Sequence, residues 1–198
     1  GIKLCESYNL QYGTNFISVM PTNLYGPGDN YNLETAHVLP ALMRKFHLAT
    51  LLQQNIGEVV ALSRIGITKD HVTLWGTGAP YREFLYVDDL ANAVFLLIQR
   101  YDTKDIGEII NIGTGTDISI NDLAQIIKKI VGFTGELLFD HTKPDGTTKK
   151  LLDVSRIKSL GWQSTVSLEF GIQDTYQLYA QEHKEQGEAA GCFHTNQF

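Results

Sequence analysis

Residues 21–45, PTNLYGPGDNYNLETAHVLPALMRK, decide how the chain is read. Just ahead lies FISVM at 16–20, where the β-branched Ile17 and Val19 suit a buried strand. Pro21 has no N–H to give a sheet ladder, so the strand is expected to stop there. Asn23, Gly26, Pro27, Gly28, Asp29 and Asn30 follow as turn chemistry. A helix is expected from near Glu34 through Phe46, carrying His37, Leu39, Leu42 and Met43. A loop that follows a buried strand is where open α/β sheets bind ligands.

Working outward, strands and helices alternate along the chain. Residues 1–12 have helical spacing, with Ile2, Cys5, Leu4 and Tyr8 facing inward and Gly13 as the stop. No cap residue precedes this helix, so residue 1 is expected to lie inside it. Cys5 on that face reads as a small buried hydrophobe rather than a nucleophile. Residues 48–71 read as an inserted helical excursion with no assigned chemistry. VTLW (72–75), REFLY (82–86), EIINI (108–112) and LLF (137–139) read as strands, in a body of about five. The paired Asp88 and Asp89 invite an acid/base reading, but a cap on the helix that starts at Val87 is the better one. That helix should bury Leu90, Ala93, Val94, Leu97 and Ile98. Ser119 and Asp122 approximate a capping box for a helix with Leu123, Ile126, Ile127, Ile130 and Val131 inward and Gly132 at its end. A last helix is expected over 167–184, then a loose tail over 185–198.

Composition bounds the function. The 198 residues carry a net charge of −6, which argues against a nucleic-acid surface. Basic residues cluster locally, at Arg44-Lys45 and Lys149-Lys150, which suits a small anionic ligand. No apolar run approaches the ~20 residues that span a membrane. Lys3 and Glu6 interrupt any signal-peptide core. The two cysteines, Cys5 and Cys192, make no disulfide framework, and a reducing cytoplasm is the expectation.

Several residues have both a functional and a structural reading. Asn23 could hydrogen-bond a ligand amide or only brace its own turn. His37, near a helix start, could be a proton donor or a solvated surface histidine. Trp75, at a strand end beside a glycine turn, could pack inward or stack on a flat ligand. Arg82 opens a buried strand and needs a partner, either Glu83, Asp88 or Asp89, or a diphosphate held by its planar fork. Lys143, Asp145, Lys149 and Lys150 surround a Pro-Asp-Gly turn that is otherwise solvated. GTGTD at 113–117 lacks the third glycine and the acidic ribose partner of a dinucleotide loop, and reads as a turn.

SVMPTNLYGPGDN (18–30), the histidine of TAHVLPAL (35–42), WGTGAPYREFLYVDDLA (75–91) and KPDGTTKKLLDVSR (143–156) together resemble the extended short-chain dehydrogenase/reductases, the nucleotide-sugar epimerases and reductases. The resemblance implies an α/β fold: the C-terminal substrate-binding part of such an enzyme with the last elements of its Rossmann sheet, over 1–184. The glycine-rich loop, the catalytic Ser and the Tyr-x-x-x-Lys pair of the family would lie in an N-terminal half outside this sequence. The narrower match, through His37 and KPDGT together, implies NADP-dependent epimerisation at C3 and C5 of a GDP-4-keto-6-deoxy hexose, then reduction at C4. His37 would be the catalytic acid. Pro21, Thr22, Asn23, Leu24 and His37 would border NADP. Asn23, Lys45, Trp75, Arg82, Asp145 and Lys150 would contact the GDP-sugar, with Arg82 and Lys150 on its diphosphate. Lys45 stands where some members have arginine. It keeps the charge but loses the fork, and Arg44 could substitute. No metal, no nucleic acid and no membrane are implied. A homodimer formed partly through the first helix is implied. The alternatives are another NAD(P)-dependent nucleotide-sugar epimerase or dehydratase, which would share LYGP and the REFLYVDD-like strand, or an inert nucleotide-sugar-binding fragment.

Overall fold

A computed structural model of the chain describes residues 1–56 and 59–185. In chain order the elements begin with α1 (Ile2–Tyr12), β1 (Val19–Pro21), β2 (Asn23–Tyr25), α2 (Val38–Gln53), α3 (Val59–Ser63) and β3 (His71–Trp75). Next come β4 (Tyr81–Tyr86), α4 (Val87–Arg100), α5 (Thr103–Ile106), β5 (Ile110–Ile112) and β6 (Asp117–Ser119). The last are α6 (Ile120–Val131), β7 (Glu136–Asp140), β8 (Lys149–Lys150), α7 (Ser155–Ser159) and α8 (Leu168–Glu185). The tail expected over 185–198 lies, apart from Glu185, outside the described residues.

The α/β class holds, but the described residues form eight strands rather than about five. β1 pairs in parallel with β5, and β3 with β7. β2, β4 and β6 form a third sheet, in that order, with β8 also paired to β4. The described residues divide into two compact units, one of 1–24, 82–117 and 150–168, the other of 25–56, 59–81, 118–149 and 169–185.

In the first unit Leu85, Ala93, Leu97, Ile106, Ile110, Ile112, Val154, Ile157 and Trp162 form the core. The strand expected at 16–20 is displaced to 19–21 and is not buried: Phe16 and Met20 are exposed. Pro21 belongs to it. The ladder bonds run from Ile110 N–H to Ser18 O and from Thr22 N–H to Ile112 O, residues of the opposite parity, so β5 never asks for an N–H at 21. The chain then pairs again at once, and Asn23 and Leu24 lie in β2 rather than in a loop. α1 ends at Gly13 as expected, in the left-handed conformation with φ 64°. It buries no residue, however, and Leu4 and Tyr8 point outward. On α4 Ala93 and Leu97 are buried but Ile98 is exposed. Asp89 does not cap α4. Its carboxylate is buried and accepts from Thr165 and Val166.

In the second unit α2 packs on α6 and β3. Leu39, Leu42, Met43, Phe46, Val72, Leu74, Leu123 and Ile127 are buried. α2 begins at Val38, four residues later than expected, and runs to Gln53. Two local causes fix the start. Asn30 and Asn32 use their side-chain oxygens on the N–H groups of Asn32 and Glu34, which holds this stretch in turns. Pro40 then falls in the first turn of α2, where an absent N–H costs nothing. A helix starting near Glu34 would have placed it in the interior. The Ser119–Asp122 cap forms as expected, Ser119 Oγ accepting from Asp122 N–H at 3.0 Å, and Gly132 ends α6 at φ 82°. The excursion at 48–71 resolves into the end of α2 and the short α3.

Candidate functional site

The predicted residues fall into groups, each within one unit. In the first unit, Thr22 Oγ1 and Asn23 Nδ2 both donate to the backbone oxygen of Glu83, at 3.2 and 2.8 Å. The bracing role of Asn23 is therefore real, but it runs to β4 rather than to its own turn. It uses the amide nitrogen and leaves Oδ1 without a partner among the described residues. Arg82 precedes Glu83 on β4, and β8 with Lys150 pairs with that strand. Lys150 is exposed and Arg82 half-buried. Glu83 itself was weighed from sequence only as a counterion for Arg82. Its carboxylate instead takes the N–H of Gly115 and of Leu152.

The turn at 113–117 is built around that carboxylate. A Cβ on Gly113 would collide with Glu83 Oε1, and Gly115 sits at φ 78° to aim its N–H there. A glutamate inside a buried strand is its one sign in the sequence, and it does not say which donors receive the carboxylate.

In the second unit, His37 is the N-cap residue of α2, with extended backbone at φ −68° and ψ 165°. Its oxygen accepts the N–H of Ala41 at 3.0 Å, while its imidazole makes no cap bond and is exposed. Asp29 lies close enough to feel its charge. Burial pushes the Asp29 carboxyl up, and the Asn30 N–H and then the His37 charge pull it back. Asp29 Oδ1 accepts Asn30 N–H at 2.7 Å, and Oδ2 is buried with no hydrogen-bond partner among the described residues. Tyr31, two residues on, has its phenol pushed up by burial first and by Asp29 and Glu182 next.

Arg44 and Lys45 part company. Arg44 is buried and donates from Nη1 to Tyr31 O at 3.1 Å. It faces into the fold. Lys45 is half-buried, donates from Nζ to Thr73 O at 3.2 Å, and has its ammonium pulled down by burial. Thr73 is two residues before Trp75 on β3. Trp75 is 72% exposed, with Lys143 Nζ 5.5 Å from its ring centroid. The inward-packing reading of Trp75 is therefore wrong: an odd position at the end of β3 leaves the indole outside. Asp145 is fastened to the turn that follows β3, accepting from Thr77 N–H at 2.8 Å and Thr77 Oγ1 at 2.7 Å. The hydroxyl and then the N–H hold its carboxyl below the usual range. A side chain at Gly76, which has φ 79°, would run into Asp145. The structure thus places Trp75 and Asp145 at the end of β3 and Lys45 against its middle residue, Thr73. Among the described residues no group of three or more His, Cys, Asp or Glu side chains is arranged to hold a metal ion. No helix among them is long and apolar enough to cross a membrane.

A sequence model of the NAD dependent epimerase/dehydratase family matches residues 1–113. The chain belongs to that family. Within the epimerase/dehydratase family, it is 49% identical over 185 residues to GDP-L-fucose synthase of Escherichia coli K12, covering 90% of this chain and 53% of that protein. It is 46% identical over 181 residues to Probable GDP-L-fucose synthase 1 of Oryza sativa subsp. japonica, covering 91% of this chain and 50% of that one. Among solved structures, a GDP-6-OMe-4-keto-L-xylo-heptose reductase from C. jejuni matches with TM-score 0.85 at 42% identity, over 91% of this chain and 58% of that one. A GDP-L-fucose synthetase from Naegleria fowleri bound to NADP matches with TM-score 0.76 at 32% identity, over 92% and 54%. The chain spans about half the length of the curated relatives it matches.

Proposed function

We propose that this epimerase/dehydratase chain is the substrate-binding part of an NADP-dependent enzyme converting GDP-4-keto-6-deoxy-D-mannose to GDP-L-fucose. His37 is the observation that carries the reading: an exposed imidazole at the entry to α2 that neither caps the helix nor bonds elsewhere among the described residues. The relatives named GDP-L-fucose synthase support the substrate, and a neighbour described with NADP supports the cofactor. The residues present fit one end of that cofactor, since Asn23 Oδ1 is an open acceptor for a carboxamide N–H. Thr22 and Leu24 flank it and Pro21 ends the preceding strand. NADPH, when bound, supplies the hydride that reduces C4.

The residues of this chain take the following parts. A C–H beside a ketone is acidic once the enolate is stabilised, so C3 and C5 are the carbons that epimerise. A base supplied from outside this chain removes the C3 or C5 proton, and His37 returns one from its ring nitrogen to the opposite face of the enolate. Arg82 and Lys150 hold the diphosphate through charge-assisted hydrogen bonds. Lys45 and Asp145 contact the sugar nucleotide, and Trp75 stacks on its flat part. The first unit supplies the last Rossmann elements and the second the substrate-binding part. The intact enzyme is a cytoplasmic homodimer, with α1 and its exposed Leu4, Tyr8, Leu10 and Tyr12 in the dimer surface.

The test is a chimera of this chain with the part of the E. coli relative that lies outside the match. It should consume NADPH and GDP-4-keto-6-deoxy-D-mannose together. A folded chimera that binds both and leaves the sugar unchanged contradicts the reading.

A further inference from the structure

Glu83 is fully buried at 0% exposure, next in sequence to Arg82 on β4. Oε1 accepts the Gly115 N–H at 2.6 Å and the Thr114 hydroxyl at 3.2 Å, and Oε2 accepts the Leu152 N–H at 3.1 Å. Its backbone oxygen holds Thr22 and Asn23. A buried carboxylate served by uncharged donors is a poor way to gain stability, because a well-packed apolar side chain usually does as well or better. The group is better explained by what it fixes. Leu152 lies two residues beyond Lys150, on the segment that leaves β8, and β8 pairs with the strand of Arg82. Thr22 and Asn23 belong to the stretch assigned to the cofactor.

We infer that Glu83 is a positioning residue for nucleotide-sugar binding: its carboxylate sets Lys150 against Arg82, while its carbonyl sets Thr22 and Asn23. The inference rests on the diphosphate role proposed above for Arg82 and Lys150. Glutamine at 83 keeps an acceptor for the turn but turns an NH2 toward the Leu152 N–H, so it breaks the link to the Lys150 segment at constant size.

The experiment is calorimetric titration of GDP into the chimera described above, as wild type, Arg82→Ala, Lys150→Ala, Glu83→Gln and the Glu83→Gln/Lys150→Ala pair. Arg82→Ala, Lys150→Ala and Glu83→Gln should each weaken GDP binding roughly tenfold, the scale of one hydrogen bond to a charged group. The pair should be little worse than either single change, because a displaced Lys150 has no contact left to lose. A merely structural glutamate would give additive losses, and those would overturn the inference. Unchanged affinity in Glu83→Gln, with Arg82→Ala still weakened, overturns the inference and leaves the functional reading standing. A wild-type chimera that folds and does not bind GDP overturns both. Should Glu83→Gln not fold, Leu152→Pro removes the same hydrogen bond with the carboxylate in place. The same non-additivity with Lys150→Ala is then expected, and additive losses again refute the proposal.

Discussion

The Asp89 carboxylate and Thr165 are joined three ways. The Thr165 N–H lies 3.1 Å from both Oδ1 and Oδ2, and the Thr165 hydroxyl donates to Oδ1 at 2.8 Å. Val166 N–H adds a fourth bond at 3.0 Å, and Asp89 is 1% exposed. This side chain ties α4 to the segment after Trp162. Asp89→Ala removes the acceptor and strands buried donors. We expect a loss of roughly 3 kcal/mol, seen as a lower urea midpoint at unchanged slope. A midpoint equal to wild type would mean that the bonds contribute nothing net.

Asp145 and Thr77 give a titration to follow. The Thr77 hydroxyl and N–H hold the Asp145 carboxyl below the ordinary range. The folded value being the lower one, the clamp is complete above the ordinary carboxylate range and is lost as pH falls through the lowered folded value. Thr77→Val removes the hydroxyl donor. Carboxyl-carbon NMR should then find Asp145 titrating closer to an ordinary aspartate, and an unmoved midpoint would count against the clamp.

Trp75 separates binding from stability. At 72% exposed it contributes little to the fold, so Trp75→Ala should change unfolding free energy by less than about 0.5 kcal/mol. If it stacks on the ligand, the same change should weaken GDP-mannose binding roughly three- to tenfold. Indole fluorescence in the wild type should also respond to ligand, above the background of Trp162, which is buried in the core of the first unit. Equal affinity in the two proteins would return Trp75 to an idle surface residue.

How much of this was legible depends on where the cause of each feature lies in the chain. Local causes could be read. Ser119 with Asp122, Gly13 and Gly132 act over three or four residues, and the helices they bound were found. The start of α2 was also local, yet Pro40 was passed over although it bars a helix interior. Features set by distant partners were not readable. A cap is the local reading of Asp89, whereas its real partners, Thr165 and Val166, lie far along the sequence. Glu83 was missed as a hub because its donors come from 114–115 and 152. The period of a helix gives one apolar face but not what covers it, so Leu4, Tyr8 and Ile98 were assigned inward and point out. In the candidate site the residue types were legible and their individual tethers were not: Lys45 on Thr73, Asp145 on Thr77, Asn23 on Glu83.

The central claim is that His37 delivers a proton to carbon, and solvent-deuterium incorporation at C3 and C5 of the GDP-sugar tests it most directly. In the chimera, His37→Gln keeps much of the size and a hydrogen bond but removes the ring-nitrogen acid. Deuterium incorporation and epimerisation should slow by about 10²–10⁴-fold. GDP-sugar affinity should hold, and NADPH oxidation on an already epimerised 4-keto sugar should survive better than the overall reaction. If the variant reprotonates both carbons at the wild-type rate, His37 is a surface histidine at a helix entry and the account is wrong.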